Sequence, residues 1–185
     1  MPDQVSLFDR AFATTIAFVL PGLAVLVGAA TVTPVVAAWF GAASASPSVV
    51  GFLFVLLAAL ALGMIVTCMR WWIFERARLG PYRLIADDAI PIDERKRTDC
   101  AAAYEDLRLS HYYHYLACAN MSVAIPIAVL IWVLGADPSW RHTGEVALIA
   151  VPVTVVLGAA GRNALARYRS KRLRLVGPWP DAHVA

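Results

Sequence analysis

The sequence predicts an all-α membrane protein, with four transmembrane helices, the second and third extended into a small cytoplasmic helical bundle. Three observations carry that expectation. Of 185 residues, 60% are hydrophobic and only 16% charged, a composition outside that of ordinary soluble domains. Four stretches are apolar over about the ~20 residues that a helix needs to cross a bilayer. The one long polar segment, Arg70 to Tyr115, lies between two pairs of them. These runs are continuous rather than alternating, which argues against the strands of a β-barrel. The length suits a single membrane domain, 1–185, and leaves no room for a separate catalytic domain of ~100 to 150 residues.

The leader carries Asp3 and Asp9 against Arg10, and the apolar run from Ala11 to Phe40 far exceeds a signal-peptide core of ~7 to 15 residues. It reads as a retained first span, about 11–32. Pro21 and Gly22 fall inside it. A proline there removes one backbone hydrogen bond and crowds the preceding turn, so a kink or break is expected. Lipid tolerates such a break only where a neighbour or water satisfies the freed carbonyl. Two readings stand: a static kink packed on another helix, or a gating hinge. Pro34 reads as the stop of the span, and the uncharged Gly41 to Ser46 as a short external turn.

The second span covers about 47–69 and ends in an aromatic belt of Trp71, Trp72 and Phe74. Arg70, Arg76 and Arg78 carry the helix into the cytosol until Gly80-Pro81 stops it. Tyr82 to Ile92 is a connector holding Asp87, Asp88 and Pro91, after which Asp93 caps a renewed helical pattern. If Asp93 to Leu134 is one helix, its 42 residues run about 63 Å, twice the ~30 Å of hydrocarbon, and half of it projects into the cytosol. Tyr104, Leu107, His111 and Tyr115 share a face of that projection, which is expected to pack on the inner end of span two or on a symmetry mate. The extension is therefore 70–112 and span three about 113–134. Span four is about 144–161, short enough to sit with little tilt. A basic cytoplasmic tail, 162–185, follows, with anionic lipid as its default partner.

Orientation follows from the cations, which are retained on the cytoplasmic side when close to spans. Arg10, eight in the central segment and six from Arg162 to Arg174 make 15 of the 16; Arg141 alone lies in the loop between spans three and four. Both termini and the central segment are thus expected in the cytoplasm, in an inner (cytoplasmic) membrane.

Small residues that let backbones approach occur as Ala24/Gly28, Ala59/Gly63 and the run Gly158 to Gly161, supporting either tight internal packing or self-association. Asn120, with Ser122 nearby, stands in span three; a buried amide in lipid needs partners, so an interhelical contact or a wet cavity is expected. Cys68, Cys100 and Cys118 are an odd set on the cytoplasmic half, which argues against a disulfide framework. His111 and His114 have metal-capable spacing but no completing ligand, so they read as an interfacial pair with no metal or cofactor. No paired carboxylates, Ser/His/Asp set or Gly-rich phosphate loop stands out, so an enzyme is the weakest class.

The central segment is the candidate sensor. Arg76, Arg78, Arg83, Arg95, Lys96 and Arg97 can form a basic surface, with Arg70, Arg108 and His111 alongside, while Tyr82, Tyr104 and Tyr112 can stack bases. The same residues admit a plain reading as a solvated face, because eight acids balance the eight cations and Asp93 can pair with Arg97.

The F-x-x-PG pattern of Phe18 to Gly22, the four spans, and the run HYYHYLACANMSVAIP from His111 to Pro126 together resemble small bacterial membrane effectors of anti-phage defence. The membrane subunit of Hailong-type systems is nearest, and four-span proteins of Kiwa-type systems look similar. The resemblance implies a homotetrameric channel controlled by single-stranded DNA oligomers made by a partner nucleotidyltransferase. Its match falls on Pro21-Gly22 and on the aromatic stretch up to Asn120, the expected gate or pore residues, and on none of the arginines. The expected function is an oligomeric channel-like effector, gated by an anionic cytosolic ligand, that depolarises the cell when open. A non-conducting accessory or scaffold subunit is the alternative.

Overall fold

The computed structural model describes residues 7–41, 49–76, 100–136 and 138–176. The regular structure among them is helical, and four helices are long and apolar enough to cross a membrane: Ala11–Ala30, Val49–Phe74, Ala101–Gly135 and Trp140–Leu175.

The first span is built in three pieces: an α-helix Leu7–Thr14, a π-helical turn Thr15–Val19 and an α-helix Leu20–Ala30. Pro21 sits at the start of the last piece, where a helix can do without an N–H. Val19 and Leu20 keep right-handed helical angles, so the expected break is instead a widened turn that takes up the misfit and lets the helix run on. Thr33 is extended, and Pro34, expected only to stop the span, also begins a short helix, Pro34–Trp39. Gly41, at φ 77°, follows it in the left-handed region that glycine occupies without penalty. Trp39 stacks on Phe54 of the second span, 5.8 Å between ring centroids.

The second span runs as an α-helix Val49–Arg70 and a π-turn Trp71–Arg76, with Trp71 and Trp72 exposed as an interfacial belt would be. The third helix comprises Ala101–Leu107, a π-turn Arg108–Tyr112 and Tyr113–Ala136. Residues 93–99, where the long helix was expected to begin, lie outside the described ones. The fourth helix, Trp140–Val176, has 37 residues and so a length of about 56 Å. It is longer than the expected span at both ends, and the basic residues Arg162 to Arg174 are its last turns rather than a separate tail. No acidic residue or proline interrupts the helix there, and Ala164, Leu165 and Tyr168 bury themselves against the third helix.

Spans one, two and three pack on one another, whereas the fourth helix packs on the third. Spans one and two touch backbone to backbone: a Cβ on Gly22 would lie 1.7 Å from the Ala59 carbonyl oxygen, and one on Gly63 1.8 Å from that of Phe18. Gly28 meets Ala128 of span three in the same way, a Cβ there falling 2.7 Å from its oxygen. Two of the three small-residue seams are therefore occupied inside the chain. In the third, Gly161 is buried, while a Cβ on Gly158 would meet no heavy atom within 4 Å.

The ends sort by charge. Arg70 meets Tyr115, Tyr104 meets Tyr168, and Lys171 meets His111, so the end of span two, the start of helix three and the end of helix four lie together. Trp39 on Phe54, and Gly135 against Val32, mark the opposite end, where Arg141 begins the fourth helix.

Candidate functional site

Proline chemistry determines where the polar interior must lie. A residue at position 21 would normally give its N–H to the carbonyl of residue 17; Pro21 has none. The carbonyl oxygen of Ala17 instead accepts a hydrogen bond from Asn120 Nδ2 of span three at 2.8 Å. The other Nδ2 proton goes to Thr67 Oγ1 of span two at 3.0 Å, and that hydroxyl donates to the Gly63 carbonyl at 2.8 Å. One amide thus ties three helices together at the π-turn. Asn120 is fully buried, and its Oδ1 accepts no hydrogen bond among the described residues. Above the amide the interior is apolar, lined by Val25, Val66, Val123 and Ala124.

The next layer toward the charged end is Arg70, 4% exposed. Its Nη1 donates to the Tyr115 hydroxyl, and its Cζ lies 5.2 Å from the centroid of that ring. Arg70 therefore joins span two to helix three instead of standing on an open basic surface. Replacing Tyr115 with Phe is expected to cost about 1.5 kcal/mol, the scale of a hydrogen bond to a charged group. Thermal unfolding in detergent measures this, and an unchanged midpoint would assign Arg70's anchorage to its other contacts.

Beyond it lies an aromatic cluster. Tyr112 packs on Tyr168 at 5.4 Å between centroids and on Tyr115 at 6.0 Å, and the Tyr104 and Tyr168 hydroxyls are 3.3 Å apart. The projecting face of helix three was expected on the inner end of span two or on a symmetry mate. Among the described residues Tyr115 meets span two, whereas Tyr104, Tyr112 and His111 meet the fourth helix, because that helix continues far enough to cover them. Arg108 is exposed, 3.6 Å from Glu105 and with its Cζ 5.8 Å from the Tyr113 ring centroid. His111 and His114 have different partners: Lys171 Nζ donates to His111 Nε2 at 2.8 Å, and His114 Nε2 lies 3.7 Å from Cys118 Sγ. His111 precedes the apolar run, and its imidazole is held below its usual pKa by burial, then by Lys171, Arg167 and His114, with Asp106 opposing.

Of the expected site residues, Asn120 meets the Ala17 carbonyl that Pro21 leaves free while Gly22 lies against Ala59 of span two, and Arg70, Tyr104, His111 and Tyr112 gather at the charged end. The side chain of Arg76, and the whole of Arg78, Tyr82, Arg83, Arg95, Lys96 and Arg97, lie outside the described residues. Sequence reasoning missed Ala17, Thr67 and Tyr168, and placed Lys171 in a lipid-facing tail rather than against His111. Counting four residues back from Pro21 would have found Ala17; Thr67 and Tyr168 carry no such signal. Compared with known proteins, the chain matches no family model, no curated protein and no solved structure.

Proposed function

We propose that this chain is the subunit of an oligomeric membrane channel whose gate is the contact of Asn120 with the Ala17 carbonyl that Pro21 leaves free, and whose charged end faces the cytoplasm. The buried amide of Asn120 is the observation that carries the reading. In lipid a polar side chain has no water to fall back on, so an amide oxygen left without a donor is a costly feature for a static bundle to keep. Asn120 holds the π-turn of span one through Nδ2, while its Oδ1 accepts no hydrogen bond among the described residues. A shift that admits water to the seam would satisfy Oδ1 and release Ala17 together, giving two arrangements of comparable energy. Wide π-turns recur at functional sites for the same reason, since an extra residue can be passed along the helix at small cost.

Positive-inside retention places the Arg70 end in the cytoplasm, with residues 101–112 and the last turns of the fourth helix as the small bundle beneath the membrane. Four spans are too few to enclose a wide pore, so a cyclic homo-oligomer, a tetramer by the resemblance, is part of the proposal. So are its setting in anti-phage defence and its ligand, a single-stranded DNA oligomer from a partner nucleotidyltransferase bound by the central segment.

Planar-bilayer recording with and without a short single-stranded DNA oligomer tests the reading. Ligand-dependent current is expected, with control abolished when Arg76, Arg78 and Arg83 are reversed to Glu and binding that weakens with salt by a slope of about −0.7 per phosphate contact. The absence of current under every condition, or a purely monomeric mass in native membranes, would transfer the assignment to a non-conducting accessory subunit.

A further inference from the structure

We propose that the junction of the third and fourth helices binds the phosphate of an anionic phospholipid, held by Arg167 and Lys171 and backed by His111. Its two cations belong to the fourth helix, only the backing His111 to the central segment, and the site does not depend on conduction.

Three features lead there. The first is charge: from Arg162 to Leu175 the fourth helix carries six cations and no acid. On the facing part of helix three, among the described residues, Glu105 pairs with Arg108 at 3.6 Å and Asp106 is exposed. The second is fixed geometry. Arg167 and Lys171 are exposed and four residues apart, on one face of the helix. An ammonium only donates, so His111 Nε2 must accept from Lys171 through its lone pair; that contact at 2.8 Å positions the ammonium and leaves two of its N–H groups for a ligand.

The third feature is depth. Arg167 lies six residues, about 9 Å, past the end of the apolar run at 161. Helical side chains lean toward their own N-terminus, which on this helix is back toward the membrane. The two cations therefore aim at the headgroup layer, and Val156, 65% exposed and on nearly the same face eleven residues before Arg167, offers an acyl chain an apolar wall. A free phosphate makes no use of that wall. Basic pockets between helices on the cytoplasmic side are a recurrent way of holding anionic headgroups.

Native mass spectrometry of the full chain, purified and then offered phosphatidylglycerol and phosphatidylcholine together, tests the site. The wild type is expected to retain phosphatidylglycerol selectively, and R167Q/K171Q to lose about thirtyfold of that selectivity, roughly fivefold per cation. R141Q, at the opposite end, should leave it unchanged. Equal selectivity in R167Q/K171Q would overturn the proposal. So would displacement of the lipid by an equal concentration of glycerol phosphate, which would identify a free-phosphate site, or by a short single-stranded oligonucleotide, which would assign these cations to nucleic acid. As an independent readout, an anion beside Lys171 and Arg167 offsets the field that opposes a charge on His111, with His114 and Asp106 unchanged on its own helix. The titration of a ¹⁵N-labelled His111 imidazole should move to higher pH in phosphatidylglycerol than in phosphatidylcholine; identical titrations would refute the site.

Discussion

Gly63→Ala is expected to part the first two spans and to destabilise the protein by about 3 kcal/mol, the upper end for overpacking a close-packed interior. The added Cβ would lie 1.8 Å from the Phe18 carbonyl oxygen and 2.7 Å from its carbon. Because the obstacle is backbone, no rotamer change relieves it, and the helices must separate by more than 1 Å. The same separation carries Thr67, one turn further along, away from Asn120 and opens the Gly22–Ala59 contact. Thermal unfolding in detergent, or steric trapping in bicelles, gives the cost. Gly158→Ala provides the comparison, since its Cβ would meet nothing within 4 Å in the monomer and helix propensity alone favours the change. Equal midpoints for Gly63→Ala and the wild type would mean that the two backbones do not touch.

Asn120→Ala should cost about 1 to 2 kcal/mol, because it deprives the Ala17 carbonyl and Thr67 of a donor in a place water does not reach. The informative experiment is a double-mutant cycle with Pro21→Ala. Alanine at 21 restores an N–H one helical turn beyond Ala17, so the carbonyl regains an ordinary partner and the loss of Asn120 should hurt less, by about 1 kcal/mol. Additive effects would show that Asn120 does not substitute for the missing proline N–H. The channel proposal adds a functional readout: with the π-turn released, Asn120→Ala should conduct in the absence of ligand. A variant that is destabilised as expected yet electrically silent would separate the structural role of the amide from the proposed gate.

Much of the architecture was readable residue by residue. Four apolar runs, the cations bordering them and the proline inside the first are local properties, because transfer into lipid is a cost each side chain bears largely on its own. The need of Asn120 for a partner followed from the same accounting. Which partner it has did not, and neither did the burial of Arg70 on Tyr115 or the turn of Tyr104 and Tyr112 toward the fourth helix. In water an apolar stripe reveals a helix's inward face, but in lipid both faces are apolar, and helix rotation and register are decided by small residues and polar contacts between segments far apart in sequence. Ala59 and Gly63 could equally have met a second copy of the chain until Gly22 and Phe18 were seen against them. The sequence alone thus determined that the chain has four helices long and apolar enough to cross a membrane, with a basic end. The tertiary packing decided that its proline-freed carbonyl, its buried amide and its closest glycines form one contact, because a hydrogen bond and a backbone approach belong to pairs of helices and to no single one.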